Sequence, residues 1–319
     1  MIFEIPDGWK QRPEVDAAAY AALVKRLEKP KGIVDVVLDT DTFNEIDDQF
    51  ALAYLVKKKE LNVKAICAAP FFNSRSTGPG DGMEKSYEEI LRVLGLMKRD
   101  DLKSVVYRGS NSYLPSETEP VVSEAAEHLV KLASNYSADK PLYVVAIGAI
   151  TNVASALLLK PEIKEKIVVV WLGGHAHDWH NNTEFNLYQD VAAARIIFGC
   201  CVPLVQLPCM GVVSSFTTSG PELEYWLRGK NELCDYLVDV TTTQAVEDSG
   251  ISTWTRVIWD VTAVAWLLGG DFMLDRIEPS PIPEYDNHYA FNKTRHPIRY
   301  VFHINRDLLF EDLFRTLAK

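Results

Sequence analysis

Short continuous apolar runs alternate with helix-length amphipathic segments along the first two thirds of the chain. The β-branched runs at 33–39, 63–69, 104–107, 142–147, 167–172 and 203–207 predict strands. Helical spacing predicts helices at 48–58, 84–96, 121–134, 151–159 and 190–199. Strands without polar alternation need both faces covered, so the pattern predicts a parallel sheet between helical layers. Beyond residue 207 helical spacing dominates from 221 to 268. A strand at 298–303 and a helix at 307–317 follow. The first ~30 residues and the 279–297 segment read as loop-rich. No linker-like composition divides the chain. The expected architecture is therefore one Rossmann-like α/β domain over 1–319, with 1–30 as an N-terminal extension and 221–319 as a helix-rich C-terminal part.

Open α/β sheets bind ligands beyond the carboxyl ends of their strands. Polar residues concentrate there. The first strand runs into Asp39-Thr40-Asp41-Thr42-Phe43-Asn44-Glu45-Ile46-Asp47-Asp48, five carboxylates within ten residues. Helix capping and a favourable first turn account for one or two acids. The remainder would repel one another unless a cation joined them, and oxygen ligands suit Ca2+ or Mg2+. Asn73 follows the second strand and Gly148 the fourth. The fifth leads into the loop that holds His175, His177, Asp178, His180, Asn182, Glu184 and Asn186.

Composition narrows the function. The 319 residues are 47% hydrophobic and 24% charged, as in ordinary globular proteins. The net charge of -11 argues against nucleic acid or an anionic membrane as partner. No apolar run reaches the ~18–20 residues of a membrane span. The N-terminus lacks a basic region followed by an apolar core, and the five cysteines show no CxxC spacing. A cytoplasmic protein with reduced thiols is expected.

Three chemistries compete for these residues. Asp39-Thr40-Asp41-Thr42 fits the DxDx part of a DxDx[TV] Mg2+-dependent phosphatase loop, with Asp39 as nucleophile and Phe43 at the [TV] position. That scheme leaves Asp47 and Asp48 without a role. His175, His177 and His180 could form a zinc cluster, but zinc would need aspartates from the first strand.

The third reading uses the whole set, and here the chain resembles the inosine-uridine-preferring nucleoside hydrolase family. The acidic loop resembles the family's DxDPGxDD signature, without Pro-Gly and two residues longer. Ala146-Ile147-Gly148-Ala149-Ile150-Thr151-Asn152 resembles its G-P-L-T-N segment. Thr183-Glu184-Phe185-Asn186 with Asp190 resembles A-E-F-N-x-x-x-D, and Trp259-Asp260 its late H-D pair.

The resemblance implies Ca2+-dependent hydrolysis of ribonucleosides to ribose and free base, by a homodimer or homotetramer. It implies Asp41 as general base and metal ligand, with Asp48, Asp260 and the Ile147 carbonyl completing the protein ligands. Asp47 and Asn73 would hold ribose hydroxyls, and Glu184 and Asn186 the opposite side of the sugar. One of Asp178, His180 and Asn182 would supply a further sugar contact. Trp259 stands at the family's late His and resembles the purine-leaning members, where an aromatic ring stacks on the base. Tyr113, Trp179 and Trp254 are candidates for a second aromatic wall. A binder that has lost turnover is the remaining alternative. An unused carboxylate cluster argues against it, because buried charge destabilises a fold.

Overall fold

The apolar runs become interior strands. In the computed structural model, which describes residues 16–319, α1 (Ala17–Arg26) precedes β1 (Val34–Thr40), α2 (Asp47–Lys57) and β2 (Leu61–Ala68). Then follow α3 (Pro79–Leu96), β3 (Val106–Arg108), α4 (Glu124–Ala133), β4 (Leu142–Ala146) and α5 (Thr151–Leu159). β5 (Ile167–Leu172), α6 (Phe185–Gln189), α7 (Val191–Gly199) and β6 (Leu204–Leu207) complete the alternating part. The remainder comprises β7 (Thr217–Ser219), α8 (Gly220–Trp226), α9 (Glu232–Ser249), β8 (Thr255–Val257) and α10 (Val261–Trp266). β9 (Met273–Pro279), β10 (Ile282–Pro283), β11 (Tyr289–Ala290), β12 (Pro297–Ile304) and α11 (Arg306–Leu317) follow.

The eight-stranded sheet has the order β3-β2-β1-β4-β5-β6-β12-β9. Its pairs are parallel except β12 with the edge strand β9. Successive residues of a strand face opposite sides. Val36 and Leu38 enter the core shared with α2, α3, α9 and α11, while Val37 enters the core shared with α4, α5 and α7. β1 is flanked by β2 and β4. The chain builds outward from β1 in both directions, so the strand order switches between β1 and β4. A crevice opens at such a point beyond the carboxyl ends. Asp39 of β1 pairs with Ala146 of β4, and the Ile147 N–H donates to the Asp39 carbonyl. The acidic loop and the Ile147-Gly148 segment therefore leave the sheet side by side.

Several expectations need correction. Residues 17–26 are helical rather than loop-like, because Asp16 caps the Ala18 and Ala19 N–H groups and basic residues close the last turn. The expected extension at 1–15 lies outside the described residues. The expected strand at 298–303 is present as β12, but the C-terminal part also adds a second strand, β9, to the sheet. β9 escaped notice because Met273-Leu274-Asp275-Arg276-Ile277-Glu278-Pro279 is an edge strand with mixed burial rather than a continuous apolar run. The 279–297 segment contains the β10–β11 hairpin. Among the described residues, no helix is long and apolar enough to cross a membrane. All five cysteines are free thiols.

Gly109, just after β3, ties the sheet to the site. A Cβ there would stand 1.9 Å from the Ala68 carbonyl and 2.4 Å from the Asn152 amide. That amide donates to Asp39 Oδ1 at 2.8 Å and also to the Ala68 carbonyl. Gly109→Ala is expected to destabilise the fold by about 1–3 kcal/mol through overpacking, read as a lower urea midpoint at unchanged m-value.

Candidate active site

β1 delivers Asp41 and Thr42 at its carboxyl end, and α2 opens with Asp47 and Asp48. Asp260 precedes α10 from a distant part of the chain, its backbone N–H donating to Asp47 Oδ2 at 3.4 Å. All four aspartates are at most 3% exposed, so water does not screen them. One carboxylate oxygen from each of Asp47, Asp48 and Asp260 lies within 4.8 Å of the other two. Among the described residues, neither oxygen of the buried Asp41 carboxylate has a hydrogen-bond partner. Asp48 is oriented by Thr40, whose hydroxyl donates to its Oδ1 and also meets Thr42 Oγ1 at 2.8 Å.

Burial, reinforced by mutual repulsion, holds the carboxyls of Asp41, Asp47 and Asp260 well above the usual carboxylate range. Burial lifts Asp48 to about 7, opposed by its hydrogen bonds to Thr40 and Asp260. Asp39 is also lifted to about 7 by burial, against its bond from Asn152. The α2 N-terminus favours negative charge near Asp47 and Asp48 but cannot neutralise four acids. An all-oxygen, tightly spaced, partner-poor set fits a hard divalent cation.

The opposite wall comes from the loop after β5. Gly174 adopts φ +74°, and a Cβ there would stand 2.0 Å from the Tyr289 hydroxyl, so the turn requires glycine. Glu184 caps α6: Oε1 accepts from the Asn186 N–H, and Oε2 accepts from the Gly174 and Leu187 N–H groups. Burial raises its carboxyl while those N–H groups counter it. The Asn186 amide donates to the Ile147 carbonyl at 3.1 Å and to the Leu172 carbonyl at 3.0 Å. This bond pins the carbonyl beside the acidic cluster.

A cleft of about 220 Å³ lies between the two walls. Asp41, Asp47, Asp48, Ile147, Asp260, Glu184, Asn186 and Trp259 all line it. Asn73 does not. Its Oδ1 accepts from the Arg75 N–H in an Asx turn, and its amide donates to Asn44 Oδ1 at 2.6 Å. Asn44 lines the cleft in its place.

Sequence reasoning also missed Glu45, Phe185, Cys209 and Met210, which line the cleft too. Glu45 stood within the acidic loop and was legible. Phe185 stood between Glu184 and Asn186 and was legible in the same way, whereas Cys209 and Met210 reach the cleft only through tertiary folding.

Among the described residues, the histidines of the loop after β5 form no metal cluster. His177 Nδ1 meets Glu278 and Nε2 meets Gln206, both at 2.9 Å. His180 is exposed, and only His175 lines the cleft. The His175 Nδ1 accepts from the Met210 N–H, and burial lowers its pKa to about 4. Asp178 is exposed, while Asn182 is buried with Oδ1 accepting from the His175 N–H.

The proposed second aromatic wall changes as well. Trp254 packs in the core against Gly220, and Tyr113 is tied to Gln189. Trp179 leans edge-on toward His175 outside the cleft lining. Phe185 is the second aromatic residue in the lining. The phosphatase alternative fails on Asp39, which is buried outside the cleft lining and held by Asn152.

These shifts set a pH dependence for cation-free protein. A carboxyl whose folded pKa exceeds its unfolded value makes the folded chain bind more protons. Its stabilising contribution is complete below about 3.8 and is lost as pH rises through the folded pKa, about 7 for Asp48. In chelator, the unfolding free energy is expected to fall between pH 5 and pH 8, by on the order of 1 kcal/mol or more. Asp48→Asn should flatten part of that slope, measured by urea denaturation at several pH values.

Comparison with known proteins places the chain. The family described as inosine-uridine preferring nucleoside hydrolase matches residues 36–305. The pyrimidine-specific ribonucleoside hydrolase RihA of Salmonella paratyphi A is 29% identical over 191 residues, which is 53% of this chain and 58% of that enzyme. The match thus spans little more than half of that relative. A plant nucleoside hydrolase shares the fold with a TM-score of 0.73 at 18% identity, over 89% of this chain and 99% of its own. A purine-preferring ribonucleoside hydrolase from Gardnerella vaginalis has a TM-score of 0.69 at 18% identity, over 89% of this chain and 98% of its own. With the profile match spanning most of its length, the chain belongs to the inosine-uridine preferring nucleoside hydrolase family.

Proposed function

We propose that the protein hydrolyses the N-glycosidic bond of ribonucleosides, releasing ribose and free base, with Ca2+ held in the acidic cluster. The observation that carries this reading is the Asp41 carboxylate, which lies in the cleft lining and is buried without a hydrogen-bond partner among the described residues. Asp41, Asp48, Asp260 and the Ile147 carbonyl would hold the ion. When bound, it neutralises the cluster and makes a water more acidic.

The chain's own residues supply the other steps. Asp41 accepts a proton from water as the oxygen attacks C1′. The C–N bond breaks and its electron pair leaves with the base, so the ribose passes through an oxocarbenium-like state. Asp47 and Asn44 face the ribose diol, and Asn73 acts by holding Asn44. Glu184 offers its remaining oxygen lone pairs to the sugar. Asn186 does so with Oδ1, because its amide N–H groups serve Ile147 and Leu172. Orientation by these groups makes the attack effectively intramolecular.

The departing base must gain a proton. The Trp259 indole N–H is not acidic near neutral pH. With Trp259 and Phe185 both in the lining, stacking on a protonated ring is the supported contribution, worth roughly 0.5–2 kcal/mol. A purine offers more ring surface than a pyrimidine, so the reading leans toward purine nucleosides. The relatives' names point both ways, and Trp259 carries this choice. Should pyrimidines be preferred, His175 replaces His180 as the histidine to test, since His180 does not line the cleft. The same reading takes the enzyme as a single domain and a cytoplasmic homodimer or homotetramer, without nucleic-acid or membrane partners.

A ribose-release assay with inosine, adenosine and uridine separates this enzyme from a binder without turnover. Activity should vanish in chelator and return with Ca2+. Asp41→Asn should fold normally and lower kcat by about 10²–10⁴-fold. Near-normal turnover in that variant removes Asp41 from the mechanism.

Trp259→Ala should erode the ratio of kcat/KM for inosine over uridine more than it lowers Tm. An unchanged ratio assigns Trp259 to packing alone.

A further inference from the structure

One histidine of the cleft lining is held from behind and unused in front. The His175 N–H donates to Asn182 Oδ1 at 2.8 Å, and the ring meets Trp179 edge-on with centroids 6.2 Å apart. Nδ1 accepts from the Met210 N–H at 3.3 Å. A backbone N–H cannot accept, so Nδ1 carries no proton and the neutral ring holds its proton on Nε2. The backbone of Met210 thus sets the tautomer before any ligand arrives.

Nε2 has no hydrogen-bond partner among the described residues. It is also not one of the partnerless atoms that the fold closes off, as both ring nitrogens of His296 are. His175 lines the cleft, where this N–H is available to a ligand. With its pKa lowered to about 4 by burial, the ring stays neutral near pH 7 and serves as a hydrogen-bond donor rather than as an acid.

An unused acceptor stands on the same wall. The Asn186 amide N–H groups go to the Ile147 and Leu172 carbonyls, which fixes the amide and leaves Oδ1 over. That oxygen also lacks a partner among the described residues and is not closed off. Asn186 is tied to Leu172, and Glu184 to the Gly174 N–H, so both stand beside the strand end that carries His175.

A free N–H and a free oxygen on one wall match a hydroxyl group, which accepts through its oxygen and donates through its hydrogen. The 2′ and 3′ hydroxyls of a ribonucleoside are taken on the acidic wall by Asp47 and Asn44. The base has Trp259 and Phe185, which offer ring faces. The 5′-hydroxyl remains, on the edge of the sugar away from the diol.

We propose that His175 sets specificity at the 5′ end of the substrate: Nε2–H donates to the ribose 5′-oxygen, and the 5′-hydroxyl donates to Asn186 Oδ1. A neutral donor suits a hydroxyl and offers no countercharge to a 5′-phosphate. That the ligand is a ribonucleoside rests on the hydrolase reading.

Deleting one atom from the substrate and one from the protein tests this. Wild-type kcat/KM should be about tenfold higher for inosine than for 5′-deoxyinosine. His175→Asn keeps an oxygen near the Nδ1 position for the Met210 N–H and places nothing at Nε2. It should lower kcat/KM about tenfold for inosine and less than about twofold for 5′-deoxyinosine. His175→Gln, whose amide reaches toward the Nε2 position, should recover part of the loss, for inosine alone. Equal losses for the two nucleosides in His175→Asn place the ring against the base or in packing and overturn the proposal. A wild-type protein that treats the two alike overturns it as well. Should His175→Asn not fold, His175→Phe keeps the ring volume and reads the same ratio. Ribose release from inosine by the unmodified protein is followed in parallel. Its absence sinks the hydrolase reading, and calorimetry with the same two nucleosides then reads the ratio as Kd. A Kd ratio untouched by His175→Asn, or no binding of either nucleoside, overturns this proposal too.

Discussion

Four carboxylates converge where the strand order reverses, and the rest of the site is arranged around their repulsion. Asp41, Asp47, Asp48 and Asp260 are shielded from water, and three of them offer oxygens within 4.8 Å of one another. Two such charges repel by about 3–4 kcal/mol at an effective dielectric of 20. Protons or a multivalent cation must balance that. In the proposed mechanism Asp41 accepts a proton from water, and a cation rather than protons is what that reading requires of the cluster. The α2 N-terminus and the Thr40 hydroxyl orient the cluster without neutralising it.

The scaffold holds this density of charge by covalent and hydrogen-bonded struts. β1 and β4 are adjacent parallel strands, so Asp41 and the Ile147 carbonyl emerge together. Asn152 reaches from the first turn of α5 to Asp39 and Ala68, while its Oδ1 accepts from Ser110. Asn186 links the ends of β4 and β5 through their carbonyls. Glu184 spends its carboxylate on three backbone N–H groups, which fixes the wall opposite the acids. Residues that read as sugar contacts are therefore also the braces of the cleft. A substitution at Asn186 or Glu184 would disturb geometry and binding together, unlike one at Trp259.

The loop between β1 and α2 separates two cavities with different chemistry. On one side lie the acids and Trp259. On the other lie Arg75 and the carboxylates of Glu89, Asp239 and Glu247. Glu45 borders both and pairs with Arg256 of β8 at 3.2 Å, tying the loop to the C-terminal part.

Much of this was legible in the linear pattern. Continuous apolar runs read as interior strands because both faces of a parallel sheet are covered, and β5 and α5 fall where periodicity put them. Asp41, Asp47 and Asp48 were legible because a strand end and a helix start hold them close by connectivity alone. Asp260, Glu184 and Trp259 were reached through family resemblance, since no local spacing relates them to β1. The edge strand β9 was hidden because half-exposed strands lack a strong apolar signature. The tertiary structure decided the rest: that Asn44 rather than Asn73 lines the cleft, that His177 is taken up by Glu278 and Gln206, and that Phe185 rather than Trp254 joins Trp259. Sequence determines which groups a loop carries. Which of them faces a cavity depends on what distant segments pack against it, and that is settled only when the sheet and its helices close together.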